Sequence, residues 1–486
     1  MKVAFLASEV IPYAKTGGLA DVAGALPKFL AALGAEVRVF MPLYREVRKK
    51  NLPLEPVLDG AVLRMGGLEL AYEVFARRAE GVTVFFIDRP EYYDRDHLYG
   101  TATGDYPDNA ERFAFFSRAA LETMKAVGFA PDIIHGHDWQ AAPVFAYLKF
   151  VYADDPFFRR TRSLFTIHNL AYQGLFEKDV LEAIDLPGSL FSMDGLEFYG
   201  KVNALKAGIL YATAVTTVSP RYSREIQTPE FGCGLEGLLR SRAGVLHGIL
   251  NGVDYRDWDP ATDRLIPRNF GPDDLGGKKV CREELGRLFG LALPQDRPLA
   301  GMVTRLAGQK GLDIVCDALD ALLGLGLSLA ILGTGDKKIQ DFLIAAQKKH
   351  PTRLGLKIAF DERIAHTIYA GSDLFLIPSR YEPCGLTQMY AMKYGTVPVV
   401  RATGGLDDSV EEFDPAAGTG NGFKFAEAAS GPLLEASARA IRTFGKPRDW
   451  AVLVSNAMAA DFSWERSAAT YLALYEMLVA SQATEA

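Results

Sequence analysis

The chain is 486 residues long, 49% hydrophobic and 23% charged, with a formal net charge of -7. That length suits two or more domains, each able to bury its own core. The negative balance argues against nucleic acid or an anionic membrane as the main partner, although a local Lys/Arg cluster can still take an anionic substrate.

Cys233, Cys281, Cys316 and Cys384 are scattered without C-x-x-C spacing. This fits a reducing compartment and offers no structural zinc site. The N-terminus has a short apolar stretch before Glu9 and Lys15 and reads as a buried strand instead of a signal peptide. No apolar run approaches the ~18 residues of a membrane span. A soluble, cytoplasmic protein without a membrane or nucleic-acid partner is expected.

In chain order, short apolar runs without alternation predict strands at 3–6, 37–40, 82–87, 132–135, 164–167 and 214–218. Strands buried on both faces read this way. A helix is expected from 19 to 33, stopped by Gly34. The pattern restarts with strands at 299–304, 327–332, 356–360, 374–377 and 397–400. Trp464, Ala468, Tyr471, Leu472, Tyr475 and Leu478 mark one face of a final helix over 464–480. The expected fold class is therefore α/β, with two doubly wound, Rossmann-like parallel sheets. The expected domains are 1–247, 248–460 and a terminal helix at 461–486. Ligands of such sheets bind beyond the carboxyl ends of strands, so the cleft between two of them is the natural site.

Four constellations sit at those strand ends. Lys15-Thr16-Gly17-Gly18-Leu19 is either a plain tight turn or a place where backbone amides and a lysine meet an anion. Arg305 and Lys310, in RLAGQKG, follow the strand at 299–304. They read as a solvated basic loop or as cations for a diphosphate. Glu382, in the run from Ser379 to Thr387, precedes a helix that Gly385 is expected to open. It is a capping residue or the partner of a developing glycosyl cation. HGHDW at 135–139 and TIHN at 166–169, with Trp139 and Tyr172 nearby, suit sugar hydroxyls and a sugar's C–H face. A single histidine there is as readily a core residue, and the lone H-x-H is a weak metal signal.

Thr16-Gly17-Gly18-Leu19 recurs as Thr403-Gly404-Gly405-Leu406, either by coincidence or because both halves present a similar turn. The G-x-G-x-x-G at 232–237 follows no strand. The D-x-D matches at 94–96 and 257–259 lie in turn-rich stretches, and neither supports a cofactor or metal site.

Taken together and in order, KTGGL at 15–19, HGHDW, TIHNLAYQG at 166–174, NGVD at 251–254, RLAGQKG at 305–311, EPCGLTQMYAMKYG at 382–395 and TGGLDDSV at 403–410 resemble the bacterial glycogen synthase and plant starch synthase family. The resemblance implies a GT-B fold whose final helix crosses back to the N-terminal domain. It implies glucose transfer from ADP-glucose to the non-reducing end of an α-1,4-glucan, with retention of configuration and no metal or pyridoxal phosphate. By position, Lys15 and the Gly17 and Gly18 amides would meet the donor's phosphate and sugar, with Asp21 ordering the loop. Arg305 and Lys310 would neutralise the diphosphate. Gly385, Leu386 and Thr387 would bind phosphate at a helix start, and Glu382 would lie by the glucose. His168, Asp138 and Asn251 would hold that glucose from the opposite lobe. Phe360 would stack on adenine, where the family often has Tyr. Tyr390 stands where sucrose- and trehalose-forming relatives carry a second glutamate, which favours the glycogen and starch synthase branch. The rivals are a UDP-glucose enzyme, an inactive glucan-binding scaffold and a pyridoxal-phosphate-dependent phosphorylase.

Overall fold

The computed structural model describes residues 1–101 and 103–485, with side chains up to residue 481. The chain forms two compact units. The first comprises residues 1–218, 223–249 and the chain from 464 onward, and the second residues 219–222 and 250–463.

The first unit is built on a nine-stranded sheet. Its order is Leu246–Gly248, Ala214–Thr217, Arg162–Ile167, Ile133–His137, Lys2–Leu6, Glu36–Pro42, Val82–Asp88, Leu68–Ala79 and Glu55–Met65. The first seven run parallel. The last two form an antiparallel hairpin on the edge, so this sheet is mixed and not purely parallel as expected. The hairpin lacks the apolar runs that mark the other strands. Leu68–Ala79 alternates buried and exposed residues, as a strand with one wet face should. Gly66 and Gly67, at φ +59° and +74°, make its two-residue turn.

The second unit carries six strands, all parallel, in the order Leu354–Lys357, Ser328–Leu332, Leu299–Val303, Leu374–Ile377, Val397–Arg401 and Phe423–Phe425. Ser328–Leu332 is buried at every position, which explains the unbroken apolar run at 329–332. The strand expected over 356–360 is displaced. It ends at Lys357, the last residue paired with Leu332, and Asp361 then caps the helix Glu362–Gly371 by accepting from Ile364 N–H. Phe360 is left in the connecting loop.

In each sheet the chain winds outward from the middle in both directions. The reversal falls between Lys2–Leu6 and Ile133–His137 in the first unit, and between Leu299–Val303 and Leu374–Ile377 in the second. Neighbouring loops diverge there and leave a crevice at the strand ends. The last helix, Trp464–Glu485, packs on the first unit with Trp464, Ala468, Tyr471 and Tyr475 buried. The Tyr475 hydroxyl lies 2.7 Å from His135 Nδ1.

Candidate active site

In the second unit, a cavity of about 170 Å³ opens at the reversal point, lined by Arg305, Lys310, Ser379, Glu382 and Thr387 among others. Lys310 and Glu382, 72 positions apart, form its centre. Lys310 Nζ lies 2.6 and 2.8 Å from the two Glu382 oxygens, and Ser379 Oγ donates to Glu382 Oε2 at 2.9 Å. Backbone conformation explains how they meet. Gly311 turns the chain at φ +70°, and a Cβ there would sit 2.0 Å from the Pro378 carbonyl oxygen. Only glycine lets the loop carrying Lys310 close on the end of Leu374–Ile377. Glu382 is thus neither a helix cap nor an isolated carboxylate; an ammonium compensates its charge. Arg305 is exposed, and its one side-chain bond among the described residues goes to Gln309 Oε1 at 3.3 Å. Its charge remains available to a ligand.

The other expected residues of this unit divide. Gly385 does not open the helix. It turns the chain at φ +71°, Leu386 is the N-cap, and the helix runs Thr387–Lys393. Phe360 is 93% exposed, its ring free to stack. Asn251 belongs to this unit and not to the opposite lobe with His168. It lies against Cys384, and its buried Oδ1 has no partner among the described residues. Burial pushes the Cys384 thiol up to about 12, which removes it as a nucleophile.

In the first unit, the segment after Lys2–Leu6 meets the segments after Ile133–His137 and Arg162–Ile167. Glu9, only 4% exposed, organises the glycine turn. Its carboxylate accepts from Thr16 N–H, from Gly17 N–H at 2.9 Å, and from the hydroxyls of Thr16 and Tyr99 at 2.6 Å each. The Gly17 amide is therefore already engaged and is not a donor to phosphate. The helix Gly18–Ala32 follows with no side-chain cap, which leaves its first amides to an incoming anion. Lys15 pairs with Asp21 at 2.7 Å. Burial raises the Asp21 carboxyl, and Lys15 opposes that shift. Sequence reading missed Glu9, because an S-E-V run after a strand carries no sign that its carboxylate folds back.

Asp138 sits at φ +55°, a left-handed conformation at the end of Ile133–His137, and its Oδ1 accepts from His168 N–H at 2.7 Å. Strained backbone of this kind gathers at functional sites. His168 is 9% exposed, with Nε2 3.0 Å from His137 Nδ1. His135 is spoken for on both ring nitrogens, by Tyr475 and by Thr166 Oγ1 at 2.6 Å. Trp139 does not offer a ring to a sugar. It is 8% exposed and packed against Phe113 and Phe176, and a Cβ on Gly174 would meet its ring at 2.6 Å. Tyr172, 55% exposed, remains open.

The repeated glycine turns have opposite causes. A Cβ on Gly17 or Gly18 would meet nothing within 4 Å. At Gly404 and Gly405 it would fall 2.0 Å from the carbonyl oxygens of Glu382 and Cys384. The second turn is a packing device that holds the Glu382 backbone, while the first keeps space that the protein itself does not fill. Accordingly, Gly405→Ala is expected to lose about 2 kcal/mol or more of stability through overpacking. Gly18→Ala should keep its melting temperature, since alanine favours a helix, and should still lower kcat/KM about tenfold or more by filling the space the turn leaves for an incoming anion. Calorimetry and kinetics on the two variants separate these effects.

Asp138 also predicts a pH dependence of stability. Burial is the leading cause that pushes its carboxyl up to about 7, and the nearby Glu9 adds to it, while amides of His168 and Asn169 oppose it. Between the unfolded value and about 7, the folded chain holds the proton more tightly, so this group's contribution falls as pH rises through that window. Asp138→Asn keeps the Oδ1 acceptor without the charge. It should raise stability at pH 8 by on the order of 2 kcal/mol and make no difference near pH 4. Thermal unfolding at both pH values checks this.

Among the described residues, no group of three or more His, Cys, Asp or Glu is placed to hold a metal ion. No helix among them is long and apolar enough to cross a membrane.

Residues 2–241 match the family model of the starch synthase catalytic domain, and residues 288–449 match that of the glycosyl transferases group 1. The glycogen synthase of Koribacter versatilis (strain Ellin345) is 48% identical over 477 residues, covering 98% of each chain. That of Anaeromyxobacter dehalogenans (strain 2CP-C) is 49% identical over 479 residues, covering 98% of this chain and 100% of the relative. The catalytic domain of starch synthase IV from Arabidopsis thaliana, solved bound to ADP and acarbose, superposes with a TM-score of 0.89 at 36% identity, covering 98% of this chain and 99% of the other. Two Rossmann-like units, cations and a carboxylate at the strand-order reversals, and relatives of nearly equal length place this chain in the glycogen and starch synthase family of GT-B glycosyltransferases.

Proposed function

We propose that this protein transfers glucose from ADP-glucose to the non-reducing end of an α-1,4-glucan, with retention of configuration, and releases ADP. The observation that carries the reading is the Lys310–Glu382 pair in the second unit's cavity, with Arg305 exposed beside it. A departing diphosphate needs fixed positive charge, and a sugar developing oxocarbenium character needs fixed negative charge. The pair brings both within one ion-pair distance. ADP bound to the related Arabidopsis catalytic domain supports an adenine nucleotide, for which the exposed Phe360 offers a ring.

Within the second unit, Arg305 and Lys310 take the diphosphate, with Thr387 and the Gly385–Leu386 turn beside it. Glu382 and Asn251 face the glucose. Within the first unit, Lys15 and the Gly18 amide take the donor's anionic part, held in place by Glu9 and Asp21. His168 and Asp138 bind the sugar, and Tyr172 offers a face to the glucan. The reading needs no pyridoxal phosphate and no metal, because lysine and arginine supply the charge, and it places the protein in the cytoplasm.

ADP release from ADP-glucose and from UDP-glucose, each with and without glycogen and with and without EDTA, tests this reading. The expected result is glycogen-dependent release, with ADP-glucose strongly preferred and chelator without effect. Comparable kcat/KM for the two donors would refute the donor assignment. Activity lost in EDTA and restored by Mg²⁺ would refute the metal-free chemistry.

A further inference from the structure

His135 and His137 lie on the same strand, yet their surroundings differ. Both ring nitrogens of His135 have hydroxyl partners. His137 has one, His168 Nε2 at 3.0 Å from its Nδ1, while its Nε2 is buried with no partner among the described residues. The ring cannot turn to find one, because Phe5 and His135 pack on it at centroid distances of 4.1 and 4.0 Å.

Burial holds both imidazoles of the His137–His168 pair well below the ordinary histidine range, with His168 down to about 3. Both are therefore neutral near pH 7, and each carries one ring proton. Two arrangements satisfy the bond between them. In one, His168 donates from Nε2, and His137 must then carry its own proton on Nε2 as a buried N–H with no acceptor. In the other, His137 donates from Nδ1, its Nε2 is a bare lone pair, and His168 carries its proton on Nδ1. Orphaned buried N–H groups are the rarer defect, so the second arrangement is favoured.

We propose that His137 is a positioning residue that fixes His168 as its Nδ1–H tautomer, so that His168 presents a hydrogen-bond donor to a hydroxyl oxygen of the transferring sugar. The facing of His168 toward the sugar rests on the function proposed above; the tautomer does not. A donor here leaves the hydroxyl's own proton for another acceptor, so the choice of tautomer sets which hydroxyl arrangements the site accepts.

Long-range ¹H–¹⁵N spectra of the full-length protein labelled with ¹⁵N-histidine test the proposal, with His168 assigned from the spectrum of His168→Gln. The expected wild-type signature is a protonated Nδ1 and an acceptor-type Nε2 on His168. His137→Phe should shift that signature and lower kcat/KM for ADP-glucose about tenfold, with little change in melting temperature. His137→Asn, whose side-chain amide can donate from the position of Nδ1, should restore the tautomer and most of the activity. A protonated Nε2 on wild-type His168 would overturn the proposal, as would a His137→Phe protein with unchanged tautomer and turnover. Should His137→Phe not fold, the wild-type and His137→Asn spectra still decide. The expected tautomer in a protein that does not turn over ADP-glucose would refute the functional reading alone.

Discussion

Glu382→Gln is expected to lower kcat by at least about 10²-fold, the scale of one lost electrostatic stabiliser, while ADP still binds. In the resting protein the carboxylate accepts from Lys310 and Ser379. A glutamine oxygen in the place of Oε2 can keep one bond from Lys310 and the bond from Ser379, while the NH2 group loses the second Lys310 bond. The fold should therefore survive with a stability loss of about 1 kcal/mol or somewhat more, as for a weakened charge-assisted bond. What glutamine cannot supply is the negative charge that gains value as the glucose becomes cationic. An interaction made only in the transition state appears in kcat and leaves nucleotide affinity alone. Melting temperature, ADP affinity and kcat measured on one preparation decide the matter. A destabilised protein with undiminished turnover would remove Glu382 from the chemistry.

Lys310→Met is expected to produce a second large loss, with a different signature. It removes a cation that the proposed function assigns to the departing diphosphate, and it leaves the Glu382 carboxylate with Ser379 as its remaining partner among the described residues. Turnover should fall by about 10²-fold or more, and stability should fall with it, by about 1–3 kcal/mol. Breaking a partly buried pair exposes its desolvation cost. The double variant Lys310→Met/Glu382→Gln separates the two losses. With neither charge present, stability should recover most of what the single lysine variant lost, whereas activity should not recover at all. Recovery of turnover in the double variant would mean that the pair serves folding and not transfer.

The legibility of this protein in its sequence varied from residue to residue. Most of the parallel strands were readable because burial on both faces leaves unbroken apolar runs such as 329–332, but the short strands Leu246–Gly248 and Phe423–Phe425 were not expected. The edge hairpin was not, because its alternation over 68–79 belongs to a strand with one wet face. Phe360 was expected at a strand end; pairing stops at Lys357, and that stop is set by the length of the neighbouring strand. Trp139 was read as a sugar platform because a tryptophan beside polar groups suits one. Its rank as a core residue is decided by Phe113, Phe176 and Gly174, all of them distant in sequence.

The sequence by itself determined the family, the α/β class, the set of charged residues at the strand ends and the chemistry those residue types can perform. These follow from local composition and from motifs in a fixed order. Only the tertiary structure decided which groups are spoken for. Glu9 occupies the Gly17 amide, Lys310 compensates Glu382, and Asn251 belongs to the second unit, where it lies beside Cys384. Identical Thr-Gly-Gly-Leu turns serve opposite ends, one leaving space and the other filling it. Hydrogen-bond partners and free volume are set by chain segments that approach from far along the sequence. No local pattern carries them, because they exist only once strand order has brought those segments together.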